Sequence, residues 1–595
     1  MVVIEPRIYR AAFVPALLAL VLTMFSFQSR PGPLPQGLAA DVLFDGRQAA
    51  QLAAAIAEDQ PDRRAGRPGD RATAALVADS FRRRGFRVER QRFRHAGRDL
   101  ENVIARRAGR SRSQIVIVAA RDAAVVPEAT GSAADTAALL QLARVFQGRA
   151  SRKTLVLASV DGSTLGEVGT ARLVNELGPR GLIDAVLVVS DLGSRPRSGS
   201  FVQAWSNDSR RAGIGLQRTV AESIRQELDQ PVEGTGVVGQ LARLSFPIGL
   251  GPQGVLLEDG FDSVRISGSG DLPPPGNGPV EAIDEDRMGT LGRATLRTVT
   301  AIDQNGRPEH GPDSYVLVVS QVLPGWILAL FAGTLLLPAL VASVDAFARA
   351  RRRRLPVLPW LRWVAAWTAP FLAGFALAEL LALTGATPTP PAAPLPPGEL
   401  PLDGPALAVL GGVAAAMALA FALARFLAAR PDPSLRTPVE PGAAVALALA
   451  LSVSALLLWL VNPYAGLLAA PAAHLWMLAV LTRPVPRRRT RMVMIALGAV
   501  PALLVALYYL VTLSMDPLEG AWYLLLLVTG HSVDLVTTLV ACVMLGVLCG
   551  TIEIAVRVPD EPNEVERREP GPPVYGPGAH AGRGALGGTE STLRR

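Results

Sequence analysis

Lysine, histidine and cysteine are nearly missing from this chain. Of 595 residues only Lys153 is a lysine, two are cysteines and five are histidines. Both cysteines, Cys542 and Cys549, fall in the last apolar run. The polar stretch from 30 to 320 therefore holds no disulfide, and its stability must come from core burial, which a domain of that length can supply. Within it stand only His95 and His310, neither with a partner at ligand spacing. A zinc site made of imidazole and thiolate is excluded there by count. The net charge of +8 does not mark a nucleic-acid binder, because much of the excess arginine sits in short loops between apolar runs. There it sets membrane orientation. The preference for Arg over Lys is the codon signature of a GC-rich bacterial genome and carries no chemistry.

Long apolar runs are abundant. A bilayer core takes about 20 apolar residues as helix, and eight runs meet that length: 9–28, 323–346, 359–384, 405–428, 441–461, 464–482, 492–514 and 522–550. The first follows Arg7 and Arg10 like a secretory signal. The stretch Phe25 to Arg30 lacks a small-residue cleavage site, which favours an uncleaved signal anchor. Arginines cluster in alternate loops: Arg349 and Arg351 to Arg354, then Arg430 and Arg436, then Arg483, Arg487 to Arg489 and Arg491. The other loops, 385–404, 462–463 and 515–520, have neither Lys nor Arg. One topology fits every loop: both termini cytoplasmic, residues 30–320 outside, in a multi-pass plasma-membrane protein. The loop at 385–404 is proline-rich and reads as an extended external linker. The expected domains are an anchor (1–29), an extracytoplasmic domain (30–320), seven further spans (321–556) and a disordered cytoplasmic tail (557–595).

The external domain reads as α/β. Residues 115–118, 155–160 and 185–190 are short continuous apolar runs between helices, as buried strands of a doubly covered sheet are. Four ordered segments carry more. They are Gly66 to Phe93, then Asn102 onward (NVIA) with its following strand ending Ala119-Ala120-Arg121-Asp122, then Gly131 to Gln147, then Thr154 to Val174. Together they resemble metallopeptidase family 28, the group of aminopeptidase Y and bacterial leucyl aminopeptidases. That resemblance implies a zinc-exopeptidase-like mixed sheet with helices on both faces. The all-α remainder would be the membrane domain. In layout the chain is also similar to the large membrane subunit of the GPI transamidase.

The resemblance further implies two zinc ions held by two His, two Asp and a Glu, with a second Glu as general base. Carried over position by position, the first ligand His is Ala120 and the bridging Asp is Gly131. Asp135 is four residues out of register. The two Glu positions are Ser163 and Thr164, and the last His is Gln253. Of the ligands only Asp191 is kept; Asp122 stands where the family has an Asp that supports a ligand without binding zinc itself. Such a set predicts a nearly uncharged cleft floor, no metal and no catalytic residue. Asp122 and Asp191 read best as hydrogen-bonding groups at strand ends, and Ser163 and Thr164 lack a base to activate them.

Three functions follow. The first is a catalytically degenerate, membrane-anchored pseudoenzyme that binds a polypeptide, an envelope component or a membrane-protein partner through the old cleft, with no cofactor and no nucleic acid. The second is an active zinc-dependent exopeptidase with an altered site. The third is a carrier or lipid-handling unit, for which Glu379, His474, His531 and Asp534 are the intramembrane polar candidates. On the sequence, His531 and Asp534 fall three apart on one helix face.

Overall fold

The computed structural model describes residues 4–36, 44–195, 201–228, 234–274, 280–388, 391–428, 441–482 and 484–558. Arg430, Arg436, Arg483 and the tail beyond 558 lie outside the described residues.

Ten strands form two sheets. In chain order they are β1 (Gln28–Ser29), β2 (Arg87–His95), β3 (Arg98–Arg107), β4 (Gln114–Ala120), β5 (Thr154–Val160), β6 (Ile183–Ser190), β7 (Val202–Gln203), β8 (Ser263–Ser267), β9 (Tyr315–Val318) and β10 (Gln321–Pro324). The large sheet runs β2-β3-β5-β4-β6-β8-β7. Its centre, β5-β4-β6-β8, is parallel, while β2, β3 and β7 join antiparallel. The alternation of side chains along β4 explains its unbroken apolar run. Ile115, Ile117 and Ala119 pack with helices Gly46–Asp59, Pro68–Arg83, Ala134–Val145 and Glu285–Asn305. Val116 and Val118 face the opposite side, with Leu173, Leu256 and Phe261. Both faces are thus covered, the mixed α/β architecture expected from the sequence.

Local chemistry sets the helix ends. The Asp45 carboxylate accepts from the Gln48 N–H at 3.0 Å, and Asp284 does the same for Arg287, also at 3.0 Å. Pro68 occupies the first turn of its helix, and Gly85, with φ of +80°, follows its end.

Among the described residues eight helices are long and apolar enough to cross a membrane: Pro6–Phe25, Gly325–Arg352, Leu358–Leu383, Gly404–Phe426, Gly442–Val461, Pro463–Leu481, Arg488–Thr512 and Leu535–Arg557. The expected run 522–550 is not one helix. A shorter helix, Pro517–Thr529, opens on a capping box of Asp516 and Glu519 and ends at Gly530; Asp534 then caps Leu535–Arg557. That turn corrects the placement of His531 and Asp534 on one helix face.

The two halves are joined at several points. The small sheet pairs β1, just after the first apolar helix, with β10, just before the second. Asn462 Nδ2 donates to the Leu244 carbonyl at 2.8 Å, and Arg243 Nε donates to the Tyr508 hydroxyl at 2.7 Å. Within the helical half, Tyr523 donates its hydroxyl to the Leu395 carbonyl at 2.8 Å. Residues beside all three arginine-free loops thus take part in ties near the α/β domain.

Candidate functional site

The carboxyl ends of parallel strands are where open α/β sheets hold their ligands. Here β4 ends at Ala120, β5 leads into Ser163 and Thr164, β6 into Asp191, and β8 into Ser269.

Asp122 is clasped. Its Oδ1 accepts from the Ser163 N–H at 2.9 Å and the Ser163 hydroxyl at 2.8 Å. Its Oδ2 accepts from the Thr164 N–H at 2.9 Å and the Thr164 hydroxyl at 2.7 Å. Both hydroxyls at the positions where the resemblance puts Glu are therefore turned onto a carboxylate. Asp122 binds the 163–164 turn to the end of β4. Asp191 sits at φ of +58° and is buried. Its Oδ2 accepts from the Ser190 and Ser269 hydroxyls, each at 2.9 Å. Gln253 donates Nε2 to the Leu250 carbonyl at 2.7 Å, while its buried Oε1 has no partner among the described residues. Ala120 and Gly131 offer no donor atom to a metal.

Beneath these lies a buried ion pair. Arg121 donates Nε to Asp70 Oδ1 at 2.7 Å and Nη2 to the Glu101 carbonyl at 2.7 Å, with Asp161 Oδ2 at 3.4 Å. Burial works against the Arg121 charge, but Asp70 and Asp161 outweigh it and hold the pKa up. Asn102, opening the NVIA stretch, donates to Gln91 Oε1 and the Gly169 carbonyl, and accepts from the Asp161 N–H. This segment is structural.

The floor holds more than Asp191 and the small or neutral residues around it. Glu128, Asp135 and Glu399, which the motif comparison did not assign, lie near Asp191, and Glu167 lies near Asp122. A methyl group at Gly131 would lie 3.1 Å from Glu128 Cγ and 3.6 Å from Asp191 Oδ1. The Glu128 carboxyl accepts from the Ser132 hydroxyl at 2.6 Å, and burial pushes its pKa up to about 7. Glu167 accepts from the Thr170 hydroxyl at 2.7 Å; burial lifts it to about 8. Asp135, buried beside Leu192, is raised well above the carboxylate range by burial and then by Asp191. Glu399 comes from the distant proline-rich loop. Burial raises it well above its ordinary value, and Glu128, Asp122, Glu167 and Asp191 add to that. Arg63 and Arg265 are cations attracting members of the cluster. Glu167 follows the 161–166 motif and was findable from it; Glu399 gives no local signal at all.

These groups do not fit the two-zinc centre. The retained Asp191 already accepts two hydrogen bonds, and the positions of the first His and the bridging Asp hold Ala120 and Gly131, which have no donor. Among the described residues no group of three or more His, Cys, Asp or Glu is placed to hold a metal ion.

The polar candidates of the helical half are scattered. His474 lies between the Tyr9 hydroxyl, 2.8 Å from Nδ1, and the Leu335 carbonyl, 2.8 Å from Nε2. It ties the first helix to two others. Glu379 is half-buried near the end of its helix, with Oε1 unpartnered among the described residues. His531 is exposed in the turn before the last helix, and Asp534 caps that helix. No two of them are brought together.

No family model and no curated protein matches the chain. Solved structures do resemble it. The zinc aminopeptidase BSAP from Bacillus subtilis overlaps 44% of this chain and 96% of its own at 12% identity, with a TM-score of 0.37. A glutaminyl cyclase from an Acidobacteriales bacterium overlaps 46% of this chain and 99% of its own at 16% identity and 0.35. LapB from Legionella pneumophila overlaps 49% and 81% at 17% identity and 0.39. The likeness covers less than half of this chain. At these scores it transfers no activity; the architecture rests on the strand order and layers described above.

Proposed function

We propose that this is a membrane-anchored, peptidase-like protein without peptidase chemistry, whose α/β domain binds a polypeptide or membrane-protein partner at the carboxyl end of its sheet. The clasp of Asp122 by Ser163 and Thr164 carries the reading. Zinc hydrolysis needs several free donors around an open coordination position and a base for the water. Here the motif positions supply alanine, glycine, two engaged hydroxyls and a glutamine. Function follows the site, not the fold.

Orientation belongs to the same proposal. Residues 30–320 and the three arginine-free loops lie outside the cell, and the arginine clusters lie inside. The ties of the domain to Asn462, Tyr508 and the segment around Leu395 support a common side for these parts.

The test is metal analysis of the full-length protein, with an aminopeptidase assay in added zinc. The expected result is substoichiometric zinc and no hydrolysis. Two tightly held zinc ions per chain with turnover would establish the altered exopeptidase instead.

A lipid-handling role has one observation in its favour. A recess of about 220 Å³ opens between Gly325–Arg352, Gly442–Val461 and Pro463–Leu481, lined by Leu336, Leu340, Leu456 and Trp459. An acyl chain fits that chemistry.

A further inference from the structure

The proline-rich loop does not extend away as a linker. It runs onto the site. A methyl group at Gly166 would lie 2.4 Å from the Ala392 nitrogen and 2.9 Å from Pro391 Cβ. The glycine's φ of +85° and missing side chain let the loop come this close. Ala393 and Leu395 are buried, at 4% and 5% exposure. The Leu395 carbonyl is held by the Tyr523 hydroxyl, and the Leu400 carbonyl by Trp522 Nε1 at 3.2 Å. Between these ties Glu399 turns its carboxyl inward. Its Oε2 is enclosed, unpartnered among the described residues, and surrounded by Glu128, Asp122, Glu167 and Asp191.

We propose that segment 391–399 is the resident ligand of the cleft: an intramolecular peptide seated over Gly166, which a polypeptide partner must displace. A proline-rich segment suits the task, because its backbone is largely fixed before it binds and loses little entropy on seating. The segment also connects Leu358–Leu383 to Gly404–Phe426, so its departure would free the outer ends of both helices. The cleft is therefore coupled to the helical half. This inference deepens the binding reading and rests on it.

Single cysteines in the full chain test it, in a Cys542→Ala, Cys549→Ala background reconstituted in nanodiscs. The reagent is a membrane-impermeant maleimide. With the segment seated, Ala393→Cys should label about tenfold or more slower than Gly398→Cys, which is exposed. Equal rates would overturn the proposal. Gly166→Asn then adds a side chain under the segment at a backbone conformation asparagine tolerates. Labelling at 393 should rise toward the rate at 398 with the melting temperature unchanged. A rate that stays slow would show that Gly166 does not seat the segment, and would also overturn it. If Gly166→Asn instead exposes 393 and brings zinc-dependent hydrolysis with it, the segment stands and the binding reading of the cleft falls.

Discussion

The two halves of this molecule bury apolar surface to very different degrees. In the α/β domain Leu139, Ile117 and Leu157 have no exposure at all. In the helical half the window within Gly404–Phe426 is only 11% buried, and Leu419 is 71% exposed. Water drives the first arrangement; the second is one that lipid tails, as apolar as leucine, would accept. Polar groups divide the same way. The domain buries charged networks, such as Arg121 paired with Asp70 beside Asp161. The bundle buries single donors against backbone carbonyls: Trp459 on Ala329 and Trp476 on Ile495, besides His474 on Leu335. Ion networks mark where the domain is tied together, and isolated hydrogen bonds mark where helices meet.

The largest effect should come from breaking the domain's network. Arg121→Leu leaves Asp70 buried without its cation and should cost about 3–5 kcal/mol. Denaturant unfolding of the full chain measures it. A loss below about 1 kcal/mol would mean that the network is as replaceable as the bundle's single bonds.

A smaller effect concerns pH. Glu128 and Glu167 have folded pKa values raised to about 7 and about 8, chiefly by burial. Such groups hold their protons in the folded state after the unfolded chain has lost them. Stability is then fully present below the unfolded pKa, about 4.5. It falls as pH rises through the folded values and levels off above about 8. His310 acts in the same direction at higher pH, because its hydrogen bond to Asp262 raises its pKa. Melting temperature should fall between pH 5 and pH 8, and the double variant Glu128→Gln, Glu167→Gln should flatten that slope. An unchanged slope in the variant would place the proton uptake elsewhere. The bundle offers no comparable cluster among the described residues.

The same contrast explains what was legible in the sequence. The strands were readable because continuous apolar runs between helices have few other meanings, and the spans because length and arginine placement are one-dimensional signals. The helix break at 530–534 was readable too: Gly530 and Asp534 are ordinary stop and start residues, overlooked inside an apolar run. The cleft was not. The positions at which the resemblance puts metal-binding and catalytic groups were visible at Ala120, Gly131, Ser163, Thr164 and Gln253. The carboxyls that came in were not, because Glu128 and Glu167 lie in turns and Glu399 arrives from more than 200 residues away. A contact of that range leaves no periodicity to read.

A third prediction concerns the anchor. Tyr9→Phe removes the hydroxyl facing His474 and keeps the ring, so about 1 kcal/mol of helix association should be lost. Stronger loss of the folded bundle would show that the first helix organises the others and does not only tether the domain.

The smallest effect should be found where the comparison is sharpest. Leu139→Ala in the domain core removes packed atoms that the sheet and helices cannot replace, at a cost of about 2–5 kcal/mol. Leu419→Ala changes a side chain that faces outward from Gly404–Phe426. In a bilayer, lipid methylenes occupy the space the leucine leaves, so no cavity forms. The change in stability should stay within about 0.5 kcal/mol. The measurement must be made in lipid, with both variants in the same preparation. If Leu419→Ala proves as costly as Leu139→Ala, its outward face is not lipid-facing but packed against protein. The weakly buried helix beside the proline-rich segment would then be the place where a second chain docks.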